Sequence, residues 1–291
     1  MKNQQLVPDP SKSPLFSLKD EEKKESSLKQ KPSSDNTKRK VDYALKTISV
    51  KKKPAFPVSF SNLKKVALSQ EFKAQNIILS EDYLLSQGHK GYLSILSNYP
   101  IIEGCYYYEI KILPPKMPLA YETQLPHVRV GIGVKEFKCE YVLGYDNKSY
   151  SYRDLDGSVF HEGVSKKYGE SYYIDDTIGC MVYLKPPKPK SIKYEMVEDE
   201  KKFEEINQGS KIFFFKNGVC QGLAFENLIQ GFYYMGASLY NHARVRFNFG
   251  PTFEFQPIPP ANSEFEDIIK HMNPASCLNE EESRYKDVKI F

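Results

Sequence analysis

From residue 60 to residue 257 the chain alternates apolar and polar side chains every second position, in short runs that end at turn residues. Tyr106, Tyr108, Ile110 and Ile112 share one side of such a run, with Tyr107, Glu109 and Lys111 on the other. Val128, Val130, Ile132 and Val134 repeat the pattern against Arg129, Gly131 and Gly133, as do Val245, Phe247 and Phe249 against Arg244, Arg246 and Asn248. A period of two puts alternate side chains on opposite faces of an extended strand, so these runs predict half-buried β-strands. Asn217-Gly218 separates Lys211–Lys216 from Val219–Phe225 and supplies the positive φ angles of a tight hairpin turn; Asp156-Gly157 divides two further runs. Many short strands without intervening helices predict an all-β chain folded as an antiparallel β-sandwich. The aromatic content agrees, because 21 Tyr and 18 Phe are concentrated after the first 56 residues. Lys185–Gly209 interrupts the pattern with Pro186-Pro187, Pro189 and dense charge, and reads as a surface insertion in a loop.

The ends differ. Residues 1–56 contain 8 Ser, 5 Pro, 14 Lys/Arg and 7 Asp/Glu with almost no apolar periodicity, and are expected to be disordered. Lys38-Arg39-Lys40 and Lys51-Lys52-Lys53, ten residues apart, have the layout of a bipartite nuclear localisation signal. The tail carries a balance of +7 out of a whole-chain +4, so the rest of the chain is at −3. Residues 258–291 form a C-terminal tail in which Phe265, Ile268, Ile269 and Met272 recur at helical spacing. Ser263 and Glu266 fit a capping box, and Asn273-Pro274 ends a predicted helix over 263–273. That helix either covers its own sandwich or docks into a partner's groove.

Little in the sequence suggests catalysis. His89, His127, His161, His242 and His271 have no metal-ligand spacing, and no nucleophile elbow or phosphate loop occurs. Gly131-Ile132-Gly133 sits inside a strand, where small residues relieve close packing. Cys105, Cys139, Cys180, Cys220 and Cys277 are odd in number and unpaired in pattern, as expected of buried thiols in a reducing compartment. With no apolar stretch near 18 residues and no apolar run after Met1, the expectation is a soluble, intracellular protein that is not an enzyme and has no cofactor. Arginine is the informative residue, since only Arg39, Arg129, Arg153, Arg244, Arg246 and Arg284 stand against 35 lysines. A planar fork grips a carboxylate through two parallel hydrogen bonds, so Arg129 and Arg153 are candidate contacts for an acidic peptide. The plain alternative is that each pairs with a neighbouring acid.

Several segments resemble, in order, the SPRY domain: Gly91-Tyr92, Gly104–Ile110, Val128–Gly131, Leu143–Asp146 with Ser149–Arg153, Phe215–Val219 with Gln221-Gly222, and Phe247–Pro251. Leu143 to His161 is similar, more narrowly, to the absent-small-or-homeotic (Ash2-like) family. The resemblance covers about residues 60–257 and implies a SPRY/B30.2-like, concanavalin-like sandwich. It also implies a nuclear, non-catalytic scaffold of a SET1/COMPASS-type complex that methylates histone H3 lysine 4. The implied partners are the SET-domain methyltransferase and an acidic segment of the WD-repeat subunit of the retinoblastoma-binding-protein type. The family's contact residues fall on Tyr92, Arg129, Val142, Tyr145 and Arg153, with Val142 replacing a proline. Ile132 and Tyr152 stand where relatives often have tryptophan. The resemblance also shifts the reading of Phe265, Ile268, Ile269 and Met272 toward docking in a dumpy-30 (DPY-30/Sdc1-like) dimer. Nucleic acid is expected to meet at most the basic tail, non-specifically. The alternative kept open is another nuclear SPRY module of the heterogeneous nuclear ribonucleoprotein U kind.

Overall fold

The computed structural model describes residues 64–116, 125–186, 205–258 and 263–280. The tail with both lysine clusters, most of the insertion and the Ser263 side chain of the expected capping box lie outside the described residues. In chain order the strands are β1 (Leu68–Lys73), β2 (Ile78–Leu79), β3 (Leu85–Gln87), β4 (Leu93–Ile101), β5 (Gly104–Leu113), β6 (His127–Val134), β7 (Ser149–Arg153) and β8 (Ser158–His161). They continue with β9 (Val164–Lys167), β10 (Thr177–Leu184), β11 (Lys211–Lys216), β12 (Val219–Glu226), β13 (Tyr233–Tyr240) and β14 (Arg244–Asn248). Among the described residues an α-helix, α1 (Ser263–Lys270), precedes a last strand, β15 (Met272–Pro274), and a short 3-10 turn (Ala275–Cys277).

These strands make the expected antiparallel sandwich. One sheet runs β1-β4-β13-β6-β7-β8-β9 and the other β12-β11-β10-β5-β14-β3-β2. The alternating pattern fixes which side chains meet between them. Tyr106, Tyr108, Ile110 and Ile112 of β5 share one core cluster with Val128, Val130 and Ile132 of β6. Asn217 and Gly218 turn the β11–β12 hairpin at φ 48 and 81°, both positive as a type I′ turn requires. At Gly131 a Cβ would collide with the carbonyl of Tyr150 on β7, so the glycine is what lets β6 and β7 approach. Asn207 closes the neck of the insertion, its Nδ2 donating to the Lys185 carbonyl at 2.9 Å and its Oδ1 accepting from the Lys185 N–H at 3.1 Å.

The C-terminal reading needs correction. The helix ends at Lys270, not at residue 273, and Met272 lies in β15. An asparagine before proline disfavours the helical region, and extended backbone here gains a parallel pairing of Met272–Pro274 with Cys105–Tyr107 of β5. The apolar stripe covers its own sandwich. Phe265, Ile268, Ile269 and Met272 are half-buried against Cys105, Tyr107, Met181, Phe213 and Phe215 on the outer face of the second sheet, with the Phe265 and Phe213 rings 3.7 Å apart. A helix of eight residues is marginal alone, and this packing supplies what its length lacks.

Candidate functional site

Arg129 and Arg153 are directly opposed across the β6–β7 ladder. Their strand neighbours Val128, Val130 and Tyr152 point into the core, so both arginines project from the outer face of the first sheet. Phe160 of β8 lies between them, with the Arg129 guanidinium 3.9 Å and the Arg153 guanidinium 4.7 Å from its ring centre. Tyr92, entering β4, approaches from the other side, its ring 5.6 Å from the Arg129 guanidinium and 4.9 Å from that of Tyr240. A cation held over aromatic faces gains from the ring quadrupole without a counter-ion.

The two arginines are differently satisfied. Arg129 is only 8% exposed. Its Nη1 donates to the Leu143 carbonyl at 3.2 Å, its Nε has no partner, and it makes no ion pair among the described residues. Burial pulls its pKa down and pushes that of Tyr92 up. Arg153 follows the plain alternative in part, because it forks onto Asp156 of the β7–β8 turn, Nε to Oδ1 at 2.9 Å with a second bond from Nη2. That fork holds the Asp156 carboxyl well below the usual range.

The loop carrying Val142 and Tyr145 is tied to the same face by serines. Ser238 Oγ accepts from the Leu143 N–H at 2.8 Å, and Ser149 Oγ accepts from that of Gly144 at 2.8 Å. Ser151 Oγ donates to the Leu143 carbonyl at 2.7 Å, the acceptor that Arg129 also uses. A turn from the Val142 carbonyl to the Tyr145 N–H then presents Tyr145, 57% exposed, stacked on Tyr141 with ring centres 5.1 Å apart. The structure therefore brings Tyr92, Arg129, Val142, Tyr145 and Arg153 onto one face. Sequence reasoning missed Phe160, Asp156 and Tyr141. Asp156 had a signal, three residues beyond Arg153 at a recognised turn, and Phe160 lay within the Leu143–His161 motif without being assigned a role; Tyr141 had none, because the loop's path brings it in. A bound anion would meet two guanidiniums, one of them already paired with Asp156, beside three exposed or half-exposed tyrosines.

Residues 105–187 match the family model described as SPRY domain. The chain is 33% identical over 237 residues to the Set1/Ash2 histone methyltransferase complex subunit ASH2 of Drosophila melanogaster, covering 73% of this chain and 41% of that one. It is 26% identical to the Set1/Ash2 histone methyltransferase complex subunit ash-2 of Caenorhabditis elegans, covering 58% and 34%. It is also 26% identical to the Set1 complex component ash2 of Schizosaccharomyces pombe, covering 62% and 35%. The chain thus spans between 34% and 41% of the length of these curated relatives.

Proposed function

We propose that this chain is a nuclear, non-catalytic subunit of a Set1/COMPASS-type complex that supports histone H3 lysine 4 methylation. It does so by holding an acidic segment of the complex's WD-repeat subunit. The supporting observation is the register pair Arg129–Arg153 around Phe160, in which Arg129 is desolvated and has no carboxylate of its own. An incoming acid supplies the missing counter-charge, and Asp156 can yield Arg153 to it because an exposed pair contributes under about 1 kcal/mol. A scaffold of this kind raises methyltransferase output by lowering the entropic cost of assembling the SET-domain site, with no catalytic group of its own. The lysine clusters at residues 38–40 and 51–53 are proposed to direct nuclear import. The α1 stripe is already packed on the second sheet and so offers no free face to a dumpy-30-type dimer.

Affinity purification of the tagged chain from nuclei should recover SET-domain and WD-repeat subunits. Titration of the full chain with the WD-repeat subunit's acidic segment should show about a tenfold loss for Arg153→Ala and a comparable loss for Tyr145→Ala, consistent with charge-assisted hydrogen bonds of about 1.5–3 kcal/mol. Unchanged affinity in both variants would remove the proposed surface.

A further inference from the structure

The register that opposes Arg129 to Arg153 continues outward across the first sheet. Arg153 and Ser158 flank the turn at residues 154–157, one step beyond the pair Tyr152 and Val159, and Ser158 is paired in turn with Lys167 of β9. Arg129, Arg153, Ser158 and Lys167 therefore form one row over four neighbouring strands. Lys167 points the same way as the arginines. Its neighbour Tyr168 packs inward against Tyr152, with ring centres 5.4 Å apart, and successive side chains of a strand take opposite faces. Lys166, paired with the core residue Val159, lies on the side away from the arginines.

β9 is the outermost strand of its sheet, and all four of its residues are exposed. The Lys167 ammonium makes no hydrogen bond or ion pair among the described residues. Arg129 has no ion pair there either, and Arg153 has Asp156, whose Oδ1 also accepts from the Ser158 N–H at 3.1 Å. Three cations of one row thus share a single carboxylate, and two positive charges are left for a ligand. The β8–β9 turn joins this row to the tyrosine loop, since the Gly163 N–H donates to the Gly144 carbonyl at 2.9 Å and the Glu162 N–H to that of Asp146 at 3.2 Å. Lysines at an exposed edge also deter pairing with other strands, but either face of β9 serves that purpose equally.

We propose that Lys167 is a third cationic contact for the acidic segment, an inference that rests on the reading above, and that the segment crosses the strands from Arg129 toward the β9 edge. Neighbouring strands lie about 4.8 Å apart, so Arg153 and Lys167, two strands apart, are separated by about 10 Å. An extended chain of the polyproline kind covers about 9 Å in three residues and faces the same way at every third one. The acid that meets Lys167 is therefore three residues from the acid that meets Arg153, and Lys167 selects segments with that spacing.

Fluorescence anisotropy of a labelled peptide carrying the WD-repeat subunit's acidic segment, titrated with the full chain, tests the row. Lys167→Ala should weaken binding about threefold and Lys167→Glu about tenfold. Lys166→Glu, the same charge change on the other face of the same strand, should stay within about twofold of the unaltered chain. Equal losses for the two reversals would reduce the effect to net charge and overturn the proposal. Because β9 is exposed throughout, all three variants should melt with the unaltered chain. Double-mutant cycles with alanine at each acid of the peptide should couple Arg153 to one acid and Lys167 to another three residues away. Lysine in place of the second acid should restore binding to Lys167→Glu, which a merely structural role for Lys167 does not predict. Coupling of both cations to the same acid overturns the crossing path. Weaker binding by Arg153→Ala with unchanged binding by Lys167→Glu removes the third contact and keeps the reading above. No binding of the peptide by the unaltered chain removes that reading and the third contact together.

Discussion

At the scale of single residues, the two arginines that sequence scarcity singles out differ in physical role. Arg129 is enclosed, stacked on Phe160 and bonded to the Leu143 carbonyl that also anchors the loop. Arg129→Ala removes that packing and one of the two donors serving a buried acceptor, at a cost of about 1–3 kcal/mol, so its melting temperature should fall by several degrees in a thermal scan. Arg153 is exposed at its tip and paired with Asp156, so Arg153→Ala should leave the melt within about a degree or two. The contrast makes Arg153 the cleaner probe of binding. Asp156→Asn should act in the opposite direction: with the fork released, acidic-peptide affinity measured by calorimetry should rise a few-fold. The pH dependence follows from the same pair. Because the folded-state pKa of Asp156 is depressed, its small stabilising contribution is fully present above the ordinary carboxylate value near 3.9 and is lost as pH falls through the folded value. Asp156→Asn should therefore lower stability slightly at neutral pH and leave it unchanged in strong acid, where the native carboxyl is protonated as well.

Secondary-structure elements owe their placement to two different signals, only one of which is periodic. The alternation in β5 and β6 was legible, and it sends the residues it marks into the core. The outward faces were not legible, since both sheets are covered there. Ser94, Ser149, Ser151 and Ser238 look like solvent-facing positions in the sequence, yet all four are fully buried beneath the loop that bears Tyr141 and Tyr145. Tyr107 is likewise closed off, under α1 and β15. For α1 the stripe predicts an apolar face, and only tertiary packing says that β11 and its neighbours cover it. Phe265→Ala should consequently lower the melting temperature of the full chain by the equivalent of about 1–3 kcal/mol, less than for a fully enclosed aromatic because the ring is half-buried. An unaltered melt would mean that the stripe is free for a partner.

For the molecule as a whole, charge and thiols give the broadest tests. The +4 of the chain divides into a basic tail and a weakly acidic remainder, so anion binding at the proposed arginine face would be local and should weaken as salt screens its exposed members. Cys105, Cys139 and Cys180 are buried, and desolvation pushes each thiol up to about 12; Cys220 and Cys277 are partly accessible. A thiol reagent near neutral pH should titrate no more than two cysteines rapidly in the native protein and all five after unfolding. Three fast thiols would show that the sandwich opens at β5, β10 or the loop before β7.

What the sequence determined unaided is the strands β5, β6, β11, β12 and β14, the inward faces of β5, β6 and β14, and the Asn217-Gly218 turn, because these follow from backbone geometry and a period of two within a few residues. The family motifs added Tyr92, Arg129, Tyr145 and Arg153 as a group. Only the tertiary structure decided that Phe160 joins the two guanidiniums, that serines tie down the Tyr145 loop, that Lys167 continues the row of Arg129 and Arg153, and that α1 covers its own sheet. Each of these is a meeting of side chains far apart in sequence, brought together by strand order and loop path, and alternation specifies neither.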